Sequence, residues 1–135
     1  MLLGVHTREV KRSSAKGGSI VAKGKVGVYT EVEAVPMDME GAKGVVKRVL
    51  VGEKEGAPNF IMRLFTIMPG GHTPYHSHDW EHENFIVSGK GKIRIGNEEY
   101  EVSAGSYAYV PPNEMHQYTC VGDEPLELLC LIPKK

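Results

Sequence analysis

Four of the six histidines in this 135-residue chain are spaced so that they could hold one metal ion. His76 and His78 flank a single serine, His82 follows after three residues, and His116 lies far downstream on an apolar segment headed by Gly105 and Pro111. If His76-Ser77-His78 is extended, both imidazoles point to one face, because strand side chains alternate with a period of two. Neutral imidazoles converging from neighbouring strands suit Mn, Fe, Ni, Cu or Zn, and not a hard ion that seeks oxygen. The competing reading, four unrelated core or surface histidines, requires these spacings to be accidental.

Strands must supply that face. Candidates are residues 28–34, 45–51, 59–68, 73–78, 82–88, 92–95, 98–102, 106–110, 116–121 and 126–132. Turn-forming residues separate them: Gly52 to Pro58, Pro69-Gly70-Gly71, Gly89-Lys90-Gly91, Gly96-Asn97, Gly105, Pro111-Pro112-Asn113 and Gly122-Asp123. No segment sustains a 3.6-residue apolar period, so the pattern indicates an all-β sandwich or barrel. A two-residue Gly96-Asn97 loop suits a type II′ turn. It pairs Ile95 with Glu98, Arg94 with Glu99, Ile93 with Tyr100 and Lys92 with Glu101, which sets opposite charges across two of the positions.

The length implies one domain with a real core, and 41% hydrophobic with 24% charged residues is ordinary for a soluble globular chain. A formal net charge of −1 argues against a general nucleic-acid binder. The charge is uneven: within residues 1–25 Arg8, Lys11, Arg12, Lys16, Lys23 and Lys25 face Glu9 alone. That stretch, rich in Gly and Ser, reads as a basic arm that is partly mobile, ahead of a barrel spanning 26–135. The other reading of it makes Ser19–Ala22 and Val26–Tyr29 short strands added to a partner's sheet. No apolar run approaches the roughly 18 residues of a membrane span. The first residues lack the apolar core of a signal peptide, so a cytoplasmic location is expected. Cys120 and Cys130 flank Gly122–Pro125, which would make their segments a hairpin. Its turn would set Cys120 opposite Glu127, so free thiols are expected.

The histidine spacing resembles the cupin superfamily. Gly70, His76, His78, His82 and Gly89 are similar to its first motif, Gly-x5-His-x-His-x3/4-Glu-x6-Gly. Gly105, Pro111 and His116 are similar to the second, Gly-x5-Pro-x-Gly-x2-His-x3-Asn, with Asn113 in place of its glycine and Cys120 in place of its asparagine. The likeness covers about residues 44–133 and implies a single-domain double-stranded β-helix, or jelly roll. Asparagine tolerates the left-handed turn usually given to glycine. His82 satisfies both spacings around the third ligand, whereas Glu83 misses the one to Gly89. The resemblance therefore implies a four-histidine centre, as in the small manganese-binding cupins. The run from His76 to Glu83, and Val46–Leu50 and Ala57–Phe60 upstream, look like that subgroup. It implies manganese first, with Fe, Ni, Cu or Zn as the other choices, and a homodimer with residues 26–35 reaching across.

Alternation extends the site. Tyr118 and Cys120 share the face of His116, and Asn84 and Ile86 that of His82. On the last strand both faces are apolar, so residues do not say which is interior; the resemblance runs Leu129–Pro133 beside the metal, with Cys130 as a thiol open to oxidation or a small buried apolar group. Phe60, Met62, Phe85, Ile86, Met115 and Tyr118 would line a small apolar pocket. Trp80 would be a lid or part of an interface. Glu81 and Glu83 would face solvent or orient a histidine Nδ1–H. Arg63 reads as exposed in preference to a buried anion anchor, His72 as a residue at the barrel mouth and His6 as solvated. Such a lining suits a compact aromatic or unsaturated substrate better than a sugar phosphate. The leading functional expectation is an O2-dependent dioxygenase or oxidase on such a small molecule. A non-catalytic ligand-binding cupin is the alternative, and an isomerase, which needs a proton acceptor, ranks third.

Overall fold

Residues 23–134 are described by the structure, a computed structural model. Nine strands follow in order: β1 (Val35–Pro36), β2 (Lys43–Val51), β3 (Phe60–His72), β4 (His82–Ser88), β5 (Lys90–Ile95), β6 (Glu98–Ser103), β7 (Tyr107–Val110), β8 (His116–Cys120) and β9 (Leu126–Pro133). Short 3-10 turns lie at Tyr29–Glu31 and Glu53–Glu55, and no α-helix occurs among the described residues. All strand pairs are antiparallel, in the order β6-β5-β8-β3-β9-β4-β7, with β2 added to β3 and β1 to β2. Chain neighbours are mostly not sheet neighbours, and this interleaving is the jelly-roll barrel.

β3 joins the two halves of the barrel. Phe60–Ile67 pair with β9, whereas His72 pairs with Thr119 of β8. Against β2, Lys43 is opposite His72 and Val45 opposite Ile67, so Gly44 alone faces the four residues 68–71. This bulge bends the strand where a turn at Pro69-Gly70-Gly71 was expected to end it. The chain continues as β structure because both sides of the bend find partners.

Inward residues close over one apolar core: Val45, Phe65, Ile67, Ile86, Ile93, Tyr118, Cys120, Leu126, Leu128 and Cys130. Alternation along β9 resolves the face left open by its composition, since Leu126, Leu128 and Cys130 are fully buried. The β5–β6 hairpin has the expected register at all four pairs, Ile95–Glu98 to Lys92–Glu101.

Several expectations need correction. Residues 73–78 are not a strand; only His76 forms a bridge, to His116. Residues 28–34 hold a 3-10 turn, strand structure beginning only at Val35, and Val26–Val28 are irregular. β8 and β9 are not a hairpin, because β3 lies between them, so Gly122–Pro125 crosses the barrel. Both cysteines are nonetheless free and buried. The readings made for residues 1–22, the bulk of the basic arm, lie outside the described residues.

The two motif glycines differ in a testable way. Gly89 has φ +87°, and a Cβ there would sit 2.2 Å from the Pro125 carbonyl oxygen; Gly105 has φ +94° but open space around it. Gly105→Ala should therefore cost about 1–2 kcal/mol of backbone strain. Gly89→Ala should cost more, at least about 3 kcal/mol, because backbone must move as well. Urea unfolding of both variants measures the order, and equal losses would contradict the steric account.

Candidate metal centre

His116 is the deepest of the four imidazoles, at 1% exposure in the middle of the barrel wall. Its backbone N–H donates to His76 O at 2.9 Å and its carbonyl accepts from His76 N–H at 3.2 Å. That reciprocal bridge holds the irregular His76–His78 segment against β8. The carbonyl of His78 accepts from Asn113 N–H at 2.7 Å. Asn113 has φ +70°, so asparagine does occupy the left-handed position that the second motif gives to glycine.

The rings converge. Ring nitrogens of His76, His78 and His116 all lie within 4.8 Å of one another. The His82 ring packs edge-on against both His78 and His116, with centroids 4.6 and 4.9 Å away, and its Nε2 is 2.8 Å from Nε2 of His78. A metal with bonds of about 2.0–2.2 Å to nitrogen separates donors at right angles by about 3 Å. These contacts therefore have the spacing of ligands aimed at a common point.

Hydrogen bonds behind the rings choose the tautomers. His78 Nδ1 lies 2.9 Å from Trp80 O, and His116 Nδ1 lies 2.9 Å from Glu114 O. A carbonyl only accepts, so each Nδ1 carries the proton and each Nε2 keeps its lone pair. Nε2 of His116 is buried with no hydrogen-bond partner. Such an orphan is costly unless something else satisfies it, and a divalent ion is the group that fits an all-imidazole donor set. Burial lowers the pKa of His76, His78 and His116, and it takes His82 down to about 2. All four are thus neutral and ready to donate at ordinary pH.

Around the cluster the buried polar side chains are paired. The Tyr118 hydroxyl donates to Asn84 Oδ1 at 2.7 Å, and Asn84 Nδ2 donates to Leu129 O at 3.2 Å. Ile86 is 1% exposed beneath them. Trp80 stacks on His78 with centroids 4.1 Å apart and planes within 6°, so it shields that ligand candidate directly. Cys130 Sγ sits 3.0 Å from His82 Nδ1. His72 lies at the end of β3, its Nδ1 beside Thr73 O, and is not part of the cluster.

Some expected lining residues lie elsewhere. Arg63, Phe65 and Ile67 pair with Cys130, Leu128 and Leu126 on the interior face, so Phe60 and Met62 point the other way, and Phe60 is 66% exposed. Phe85 is likewise outward at 46%. Glu83 is exposed between Tyr109 and Leu131, and the atoms facing Nδ1 of His78, His116 and His82 are two carbonyls and a sulfur. Neither Glu81 nor Glu83 orients one of these imidazoles; the neighbouring Glu83 carboxyl, able to share a proton with Glu81, raises the pKa of Glu81. Arg63, expected outside, is inside. Its parity with Phe65 and Ile67 was the available signal, but an apolar strand with two buried faces hides it.

Comparison with known proteins agrees with the geometry. Residues 63–132, just over half the chain, match the sequence model of a family described as "Cupin domain". An uncharacterised protein of Methanocaldococcus jannaschii is 36% identical over 62 residues, 45% of this chain and 50% of that protein. Auxin-binding protein 1 of Arabidopsis thaliana is 25% identical over 117 residues, 79% of this chain and 59% of that protein. The chain thus spans about half the length of these curated relatives. Among solved structures, the polyketide cyclase RemF of Streptomyces resistomycificus superposes with a TM-score of 0.79 at 28% identity, covering 84% of this chain and 81% of that one.

The neutral histidines make a pH prediction. In the unfolded chain an imidazole protonates near 6.5, whereas in the folded, metal-free chain His82 does so only at about 2. Below 6.5 the unfolded state binds more protons, so stability is full above 6.5 and falls as pH drops towards 2. Each imidazole that stays neutral contributes a slope of about 1.4 kcal/mol per pH unit. Urea midpoints of chelator-treated protein should drop between pH 7.5 and pH 5; unchanged midpoints would refute it.

Proposed function

The chain belongs to the cupin family, and from that premise we propose that it is an O2-dependent oxidoreductase acting on a small apolar or aromatic molecule at one divalent ion held by His76, His78, His82 and His116. The observation that carries this reading is the donor set: His76, His78 and His116 grouped together, the Nε2 of His82 2.8 Å from that of His78, and Glu83 turned outward. An ion held by three imidazoles and a carboxylate is a net +1 site, whereas four imidazoles leave it at +2. When bound, the ion would supply Lewis acidity and, as Mn or Fe, electron exchange with oxygen. Manganese is the first expectation, ahead of Fe, Ni, Cu or Zn. The chain's own residues hold the donors in place and exclude water: the backbone bridge between His76 and His116, the Trp80 ring over His78, and the buried Tyr118–Asn84 pair. With no carboxylate ligand to accept a proton, isomerase chemistry is the weaker fit.

Two other readings each have an observation behind them. Likeness to RemF favours metal-assisted ring closure without oxygen on a polyketide-like substrate. Likeness to auxin-binding protein 1 favours a metal-dependent binding cupin that turns nothing over. Oxygen dependence separates them.

We further propose a homodimer in the cytoplasm. Phe85, Tyr107 and Tyr109 are 46%, 83% and 53% exposed on the outer face of β4 and the edge strand β7, an apolar surface that a second copy would cover. Residues 26–35, expected to reach across to a partner, lie instead against their own sheet: Val35 pairs with Lys47, Val32 O accepts from Arg48 Nε and the Tyr29 hydroxyl donates to Glu127. Both cysteines are unbridged, which suits a reducing compartment. No helix among the described residues is long and apolar enough to cross a membrane. Neither a nucleic acid nor a membrane is expected as a partner.

The purified protein should carry about one Mn or Fe per chain by elemental analysis. Oxygen uptake with alkene or aromatic substrates should fall at least about 100-fold in His82→Ala. Anaerobic turnover would transfer the assignment to the cyclase-like reading, and tight ligand binding without product under any atmosphere to the binding reading. Sedimentation at micromolar concentration should give a dimer, and a monomer would remove the proposed interface.

A further inference from the structure

His78 and His116 are backed by carbonyl oxygens, but His82 is backed by a sulfur. Cys130 Sγ lies 3.0 Å from His82 Nδ1, deep in the barrel, where Cys130 is 0% and His82 5% exposed. The same sulfur accepts from Arg63 Nη2 at 2.9 Å, and Arg63 is its partner in the β3–β9 register. The guanidinium lies 4.9 Å from the centre of the Phe65 ring, and its Nε is buried with no hydrogen-bond partner. The ion pairs Lys25–Glu55 and Lys134–Glu53 do not use it. A buried cation without a carboxylate costs folding free energy. What Arg63 does for the sulfur gives that cost a purpose.

Donor and acceptor roles leave two arrangements. Guanidinium N–H groups only donate, so the sulfur is an acceptor towards Arg63. Towards His82 the thiol either donates its S–H to Nδ1 or accepts the Nδ1–H. In the first case the ring proton sits on Nε2, where it would bond to Nε2 of His78, 2.8 Å away, and close both nitrogens to an ion. In the second case His82 has the tautomer already set for His78 and His116, with Nε2 free to donate. An outer partner that fixes the N–H of a ligating histidine also fixes the orientation of its ring.

We propose that Cys130 is the positioning residue of the metal centre: its sulfur, held by Arg63, accepts the Nδ1–H of His82 and so directs the Nε2 lone pair of that ring to the ion. This inference rests on His82 being a ligand, and it is independent of oxygen chemistry. Cys130 thereby has a task that a small apolar residue would not perform, and Arg63 acts through it.

Titration of manganese(II) into the whole chain, stripped of metal with a chelator, tests the assignment. Cys130→Ala and Cys130→Val should each bind about tenfold or more weakly than the wild type, whereas Cys130→Ser, whose hydroxyl also accepts, should stay within about threefold. Wild-type affinity in Cys130→Ala, or Cys130→Ser no tighter than Cys130→Ala, would overturn the role, because Ala and Ser differ little in volume. If Cys130→Ala fails to fold, the comparison of Ser with Val decides. Arg63→Met should weaken manganese binding in the wild type and leave it unchanged in the Cys130→Ala background; equal losses in both would show that Arg63 does not act through the sulfur. In the zinc-loaded chain, ring 15N spectra should place zinc on Nε2 and the proton on Nδ1 of His82, and zinc on Nδ1 would contradict the proposal. His82→Ala separates the two levels. Wild-type affinity in that variant, or no manganese bound by the wild type, would overturn the four-histidine centre together with the role of the sulfur. A loss in His82→Ala with none in Cys130→Ala would leave the centre standing and remove the sulfur.

Discussion

A lone pair on a buried imidazole with nothing to receive it governs this molecule. Nε2 of His116 is sealed in the barrel wall, and its tautomer is set from behind by the Glu114 carbonyl. The rings of His76, His78 and His82 are gathered around it. Neutral imidazoles packed so closely gain little from one another, because lone pairs aimed at one point repel. A shared cation turns the same arrangement from a cost into a binding energy. The jelly roll makes such an arrangement possible, since β8 and β4 lie in different halves of the barrel and face each other across its interior.

Charge in that interior is one-sided. The histidines are neutral through burial, Arg63 and Lys47 are cations, and the acidic residues flanking His82 lie outside. Cys130 connects the two regions. Its sulfur is within reach of Arg63 on one side and His82 on the other. Burial raises its pKa, and the Arg63 charge works in the opposite direction. A guanidinium, a polarizable sulfur and an imidazole thus follow one another along one wall of the barrel. Folding alone does not need them. A core of Leu, Ile and Val would be less costly than one holding an unpaired guanidinium nitrogen.

The site is legible in the sequence to the extent that local periodicity controls it. His82, Asn84 and Ile86 share a face, as do His116, Tyr118 and Cys120, because a strand cannot present alternate residues otherwise. The β5–β6 register follows from a two-residue turn and its cross-strand charges. Motif spacing identified the histidines even though the segment holding His76 and His78 is not a strand; backbone hydrogen bonds to His116 and Asn113 do the work that a ladder was expected to do. The exposed positions of Phe60 and Phe85 were misjudged because apolar residues also cover outer surfaces.

Residue types and spacing were therefore sufficient for the all-β class, the convergence of His76, His78 and His116, the free cysteines and the left-handed Asn113. They could not decide where β3 bends, that β8 and β9 are parted by β3, or which face of β3 and β9 turns inward. Those depend on pairings between segments far apart in the chain, and where both faces of a strand are apolar a one-residue shift exchanges interior for exterior with no local penalty. Only the tertiary pairing of Arg63 with Cys130 put a cation inside the barrel.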